Sequence, residues 1–123
     1  PVMARYVDGF VLPVPKKNLA AYKKMAAKGG KIWMEHGALE YVECVGEDLR
    51  IPKMLSFVDQ IQSKAGETVC FSFIVYKSRA HRDAVNKKVM ADPRLKDMPE
   101  KMPFDFKRMA YGGFEAIVDL SAK

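Results

Sequence analysis

The chain has 123 residues, 21 Lys+Arg against 15 Asp+Glu, and a formal net charge of +6. That length suits one domain able to bury a core without disulfide or metal staples, and 49% hydrophobic with 29% charged residues excludes disordered, collagen-like and membrane classes. No apolar run approaches the ~18 residues of a membrane span and no signal-peptide pattern opens the chain, so a soluble cytoplasmic protein is expected.

Met3 is the candidate initiator, which sets Pro1-Val2 apart from the expected domain, residues 3–120. Ala4 to Leu12 is aromatic and β-branched and reads as a strand that ends at Pro13. Pro15 suits the first position of a helix, because the N–H it lacks would be unpaired there. Leu19, Tyr22, Ala26, Gly29, Trp33 and His36 then recur at helical spacing and form one stripe, with Lys16, Lys17, Lys23, Lys24, Lys28 and Lys31 on the opposite face. Gly29-Gly30 weaken this helix and point to a bend or a close approach to a sheet, and Gly37 is a natural stop. Leu39 to Val45 is a second strand. Pro52 opens a short helix through Leu55, Val58 and Ile61.

Thr68 to Tyr76 is almost continuously apolar, which predicts a central strand covered on both faces. Ser78 is a good N-cap for a helix to about Met90, with Ala80, Ala84, Val85 and Val89 inward. Asp92-Pro93 breaks it, and residues 92–105, with Pro93, Pro99 and Pro103, form an irregular arm with one helical turn. Phe106 to Leu120 closes the chain as a strand with a bulge at Gly112-Gly113. Cys44 and Cys70 lie in predicted strands without Cys-x-x-Cys or Cys/His metal spacing, and read as buried, reduced hydrophobes.

The order β-α-β-β-α-β predicts an α+β, ferredoxin-like fold: a four-stranded antiparallel sheet with its helices on one face. Two helices leave the other face bare, yet the third strand puts Val69, Phe71, Phe73 and Val75 on one side and Cys70, Ile74 and Tyr76 on the other. A second copy packed sheet to sheet would cover it, giving a homodimeric α+β barrel.

Several charged and aromatic residues are candidates for a site. Asp8 lies on one strand face with Tyr6 and Phe10, so its carboxylate needs a partner or a raised pKa, whether its role is structural or functional. His36 shares the helix stripe with Trp33 and Tyr22 and is either a satisfied core histidine or a proton shuttle. Glu43 is a second acid among apolar neighbours, and Arg108, expected on the last strand, would pair with Asp8 or Glu43 or hold a carboxylate ligand. Arg79 and Arg82, near a helix start, could contact an anion but read rather as solvated charge, and Asp105 as a cap or brace for the last strand. No metal-binding, P-loop, dinucleotide or nucleophile-elbow motif is present, so neither metal nor cofactor is expected.

Tyr6-Val7-Asp8-Gly9-Phe10-Val11-Leu12-Pro13-Val14-Pro15, Glu35-His36-Gly37-Ala38-Leu39, Glu67-Thr68-Val69, Ser78-Arg79-Ala80-x-Arg82-Asp83, Asp92-Pro93-Arg94 and the run from Pro103 to Glu115 occur in this order. Together they resemble the bacterial YbaA-like family, domain of unknown function 1428, across roughly residues 3 to 119; Leu49 to Ser56 departs from its pattern. The resemblance implies a dimeric α+β barrel related to cofactor-independent monooxygenases and stress-responsive barrel proteins, and no established activity. The functional expectation is a small-molecule site between sheet and helices. There His36 would be the acid/base, Asp8 or Glu43 would orient it, Tyr6, Tyr22 and Trp33 would shape the pocket, and Arg108 would hold charge. The alternative is a non-catalytic ligand-binding or stress-related dimer. The lysine face carries no aromatic for stacking bases, so no nucleic-acid partner is expected, nor a membrane.

Overall fold

The computed structural model describes residues 4–122; the candidate initiator Met3 and Pro1-Val2 lie outside the described residues. The chain runs β1 (Tyr6–Pro15), α1 (Leu19–Glu35), β2 (Glu40–Val45), α2 (Phe57–Gln60), β3 (Glu67–Tyr76), α3 (Arg79–Met90) and β4 (Ala110–Glu115). Short 3-10 turns occupy Lys16–Asn18, Pro93–Asp97 and Phe106–Arg108. The strands lie in the order β2-β3-β1-β4, every neighbouring pair antiparallel. This is the ferredoxin-like arrangement: α1 crosses from β1 to β2 over β3, and α3 crosses from β3 to β4 over β1.

Register divides the side chains between two faces. Tyr6, Asp8, Phe10 and Leu12 stand opposite Tyr76, Ile74, Ser72 and Cys70, and these even-numbered residues face the helices. Tyr41, Glu43 and Val45 join them from β2, and Tyr111 and Gly113 from β4. Two clusters form the core there. Ile74, Tyr76 and Tyr6 pack with Ile32, Val85 and Val89, and Leu12, Val14 and Cys70 pack with Tyr22 and Ala26. Ile32, only 1% exposed, lies on the covered side of α1 although the expected stripe leaves it out, and the six lysines from Lys16 to Lys31 are all exposed. On α3 the inward residues are Val85 and Val89, with Arg82 and Asn86 half-buried; Ala80 and Ala84 are exposed, so the expected stripe is rotated by about a quarter-turn.

Four local features differ from the sequence reading, each for a physical reason. β1 continues through Pro13 and Pro15 to its pairing with Glu67. Lys16 N–H donates to the Gly66 carbonyl, so by alternation the missing N–H groups of Pro13 and Pro15 would point away from β3, toward the side where β4 has already ended at the Val11–Ala110 pair. Residues 106–108 form a 3-10 turn, capped by Asp105 through its acceptance from the Lys107 N–H, so β4 begins only at Ala110. Gly112 and Gly113 pair in register with Gly9 and Asp8 without a bulge. They are small because rings lie over them: Phe114 across Gly9 and Gly112 on one face, and Tyr6 across Gly113 on the other. Helix α2 is a single turn capped by Ser56, and Leu55 before it is exposed.

The end of α1 follows the Schellman pattern. Gly37, at φ 112°, allows its own N–H to reach the Met34 carbonyl and the Ala38 N–H to reach that of Trp33, each at 3.1 Å. Cys70 is buried as expected, whereas Cys44 is exposed, because it stands opposite Phe71 on the face that no helix covers.

Of Gly29-Gly30, it is Gly30 that marks a close approach to the sheet. A Cβ on Gly30 would lie 2.6 Å from the Tyr41 ring, whereas one on Gly29 would meet nothing closer than 3.9 Å. Gly29→Ala is therefore expected to stabilise the protein by about 0.5–1 kcal/mol through helix propensity and lost unfolded-state freedom. Gly30→Ala, one residue away, should destabilise it by about 1–3 kcal/mol by pushing Tyr41 off the helix. Urea unfolding of the two variants measures the pair, and equal effects would discount the Tyr41 contact.

Candidate functional site

Two groups of polar side chains lie between the sheet and the helices. The first is built around Asp8, which is 1% exposed in the middle of β1. A carboxylate at such a place needs a countercharge. Arg82 supplies it from α3: Nη1 donates to Asp8 Oδ1 at 3.2 Å and to the Tyr111 hydroxyl at 2.7 Å, and Nη2 reaches the Tyr6 hydroxyl at 3.4 Å. The guanidinium also lies over the Tyr6 ring, 4.9 Å from its centroid. Asn86, one turn further along α3, accepts from Trp33 Nε1 and from the Tyr76 hydroxyl, both at 3.1 Å. Burial pushes the Asp8 carboxyl above its ordinary range, while Arg82 and the neighbouring hydroxyls pull it back.

The second group surrounds Glu43 on β2. Tyr22 of α1 donates its hydroxyl to Glu43 Oε1 at 2.7 Å, and Tyr41 donates to Oε2 at 3.1 Å. Gly30 lets the Tyr41 ring lie under α1, and Tyr22 belongs to the apolar stripe of that helix, so both donors are fixed by packing. Burial raises the Glu43 carboxyl above its ordinary range, opposed by hydrogen bonds from Tyr22 and Tyr41. It opens on a cleft of about 520 Å³ between α1 and β2, whose walls include Leu19, Ala26, Ala27, Val45 and Cys70. Burial, with Glu43 next in effect, pushes the Cys70 thiol up to about 11. The two groups touch through Trp33, whose ring lies 6.3 Å from that of Tyr41.

Of the expected site residues, Tyr22 and Glu43 meet in this cleft, and Tyr6 and Asp8 meet at Arg82. Trp33 bridges the two groups. His36 does not face either acid. It occupies the C-cap of α1, beyond the last helical residue, and its Nε2 lies 2.7 Å from Asp92 Oδ2. Asp92 also takes two bonds from the Arg94 side chain, at 3.0 and 2.8 Å, and Arg94 and His36 hold its carboxyl well below the usual carboxylate range. Arg108 likewise pairs with neither Asp8 nor Glu43. The turn at 106–108 aims it at Glu67, which it grips through Nη1 at 2.6 Å and Nη2 at 2.9 Å, with a further bond to the Gln62 carbonyl. Glu67 lies below its ordinary range as a result.

Sequence reasoning read Arg82 as solvated charge, whereas its side chain is 14% exposed and turned inward to Asp8, and it passed over Tyr41, Tyr111 and Asn86. Arg82 was legible in principle, since it stands three and seven residues before Val85 and Val89 on the same helical face. Tyr41 lies two residues from Glu43 on the same strand face. Among the described residues no cluster of three His, Cys, Asp or Glu side chains is arranged to hold a metal ion, and no helix is long and apolar enough to cross a membrane.

An antiparallel β2-β3-β1-β4 sheet, with helices on one face and a glutamate-bearing cleft beneath the first of them, defines a ferredoxin-like α+β protein. The chain belongs to the family described as protein of unknown function DUF1428, which it matches over residues 5–106. It is 49% identical over 115 residues to the uncharacterized protein YbaA of Escherichia coli strain K12, covering 94% of this chain and 98% of that protein. The YbaA protein of Shigella flexneri gives the same figures. Among solved structures, it is similar to a dimeric ferredoxin-like protein from an uncultured marine organism (8% identity, 98% of this chain and 94% of that one, TM-score 0.48). A protein of unknown function from Nitrosomonas europaea is also similar (12% identity, all of both chains, TM-score 0.46).

The acids Glu43 and Glu67 are shifted in opposite directions, and stability should report this. A folded-state pKa above the unfolded value of about 4.3 means that wild type loses stability relative to Glu43→Gln as pH rises from about 4.3 through the folded pKa. For Glu67 the folded pKa is depressed, so its contribution is complete above about 4.3 and is lost as pH falls through the folded value. Urea unfolding across pH should therefore give wild-type-minus-variant curves of opposite slope for Glu43→Gln and Glu67→Gln. Slopes of the same sign would contradict the environments described.

Proposed function

We propose that the chain binds a small organic molecule in the cleft beneath α1, with Glu43 as the recognition group, and that it does so as a homodimer. The observation that carries the first part is a half-buried carboxyl, held on both oxygens by packed tyrosines, that opens into a cleft walled mainly by apolar side chains with Lys23 at its rim. Its volume of about 520 Å³ falls within the range of ligand pockets, roughly 300–1,000 Å³, and its composition is theirs: a mainly apolar lining with few convergent polar groups.

Binding is what this arrangement supports. Glu43 is engaged by two hydroxyls, and burial keeps the Cys70 thiol protonated at neutral pH, which leaves it a poor nucleophile. In this reading Tyr22, Tyr41 and Glu43 touch the ligand. Asp8, Arg82, Tyr6 and Trp33 hold the sheet and helices that form its walls. His36 ties the end of α1 to the segment after α3, and Arg108 ties β3 to the turn before β4.

Ala27 lines the cleft from an exposed position of α1, so Ala27→Leu should fill the cavity while leaving the helix stable. A metabolite screen by thermal shift is expected to yield ligands that raise the wild-type melting temperature, with the shift lost in Ala27→Leu. Ligands that stabilise both proteins equally would move the site elsewhere.

The homodimer rests on the uncovered sheet face. Val7, Val11, Val42, Phe73, Phe71 and Phe114 all lie there, with Phe71 43% and Phe114 63% exposed. The segment after β4 exposes Ile117, Val118 and Leu120 as well and is pinned by a two-bond pair between Arg5 and Asp119. A contiguous apolar surface of this kind marks an interface more often than a free surface. Sedimentation should give a dimer for the wild type and a folded or unfolding monomer for Phe71→Glu with Phe114→Glu. A wild type that sediments as a monomer would remove this part of the reading.

A further inference from the structure

The acids of this protein divide by the partner each one has. Asp8 pairs with Arg82 at 3.2 Å, Glu67 with Arg108 at 2.6 Å, and Asp92 with Arg94 at 2.8 Å and with His36 at 2.7 Å. Each carboxylate that is largely withdrawn from water in these groups has a cation against it, as burial of charge demands. Glu43 departs from the rule. Among the described residues it forms no ion pair with any Lys, Arg or His, and the groups bonded to it are all neutral hydroxyls, those of Tyr22 and Tyr41 with Ser72 beside them.

The two hydroxyls also indicate which form of the acid the site suits. Each oxygen of Glu43 receives an O–H, one from each tyrosine, which is the pattern that suits an ionised carboxylate with two acceptor oxygens. Hydroxyls can orient that negative charge, but they do not neutralise it. The space in front of it is a cleft whose remaining walls, Leu19, Ala26, Ala27 and Val45, suit a hydrocarbon body. Lys23 at the rim is exposed and makes no ion pair with Glu43. It also sets a like charge against any second cationic group on an incoming molecule.

We infer that the ligand of the Glu43 cleft is a primary monoamine with an apolar body, its ammonium group completing the ion pair that the protein leaves open. This deepens the small-molecule reading of the cleft and rests on it. The ammonium donates to the carboxylate oxygens beside the tyrosine bonds, and the body lies along α1. An anionic ligand is disfavoured by Glu43, and a neutral alcohol of the same shape offers a hydrogen bond without the charge.

Amide spectra of the nitrogen-labelled full chain, titrated with phenethylamine, phenethyl alcohol and hydrocinnamate, test this directly. Phenethylamine is expected to move the amides of residues 19–27 and 41–45 and to saturate at least about tenfold below the alcohol, consistent with a charge-assisted bond, while hydrocinnamate leaves them unmoved. Glu43→Gln should erase that tenfold preference, and Ala27→Leu should abolish both responses. Equal affinity for amine and alcohol in the wild type, or a preference that survives in Glu43→Gln, overturns the amine assignment and leaves the cleft reading intact. If none of the three probes moves the cleft amides, the cleft reading falls and the amine assignment with it. The wild-type comparison decides between these outcomes even if Glu43→Gln does not fold.

Discussion

A carboxylate in the middle of the central strand must be neutralised before a helix can be packed on that strand, and the contact between Asp8 and Arg82 does this here. Losing one member of such a pair costs about 3–5 kcal/mol, because the other is left buried and alone. The pair also fixes geometry. Arg82 can reach Asp8 only when α3 lies across β1 and β4, and its remaining donors then fall on Tyr6 and Tyr111. Tyr6 in turn needs Gly113 beneath its ring, and Asn86 carries the same network to Tyr76 and to Trp33 on α1. The network around one charge pair thus ties five elements together: β1, β3, β4, α1 and α3.

The fold was legible because its signals are local and agree. The Leu19–Tyr22–Ala26–Gly29–Trp33 spacing, the Ser78 cap, the apolar run of β3 and the glycine stop at Gly37 each specify an element, and their order leaves little choice of topology. The candidate site was legible by halves. Composition and alternation marked Asp8 and Glu43 as acids out of place, and marked Tyr22 as facing them. What they could not give was the partner. Arg82 and Arg108 are both arginines near element ends, and which of them turns inward depends on the exact start of β4. The 3-10 turn at 106–108 removes Arg108 from the strand and swings it to Glu67. His36 is a similar case: it continues the helical stripe on paper, but the helix ends at Glu35, and the C-cap residue leaves along a different path.

Glycines were informative for a reason other than chain flexibility. Gly30 and Gly113 both have ordinary backbone angles, and each is small because an aromatic ring from a neighbouring strand lies where a Cβ would be. These contacts position the two hydroxyl-bearing rings that matter most, Tyr41 beside Glu43 and Tyr6 beside Arg82. A glycine in the middle of a regular element is better read as a place reserved for a ring than as a place where the element fails.

The prolines at the end of β1 have a consequence beyond the fold. Past Val11 this strand has no paired strand on its β4 side, and an unpaired strand edge is a template on which other chains can polymerise unless it is covered, as it is here at the buried Leu12, Pro13 and Val14. Every amide that would face outward from that stretch belongs to Pro13 or Pro15 and carries no hydrogen to donate. The stretch beyond the end of β4 is therefore covered and offers a further strand no donors on that side. The protein presents wide apolar surface on the flat of its sheet, yet at this rim it is closed to the strand-by-strand growth that leads to fibres.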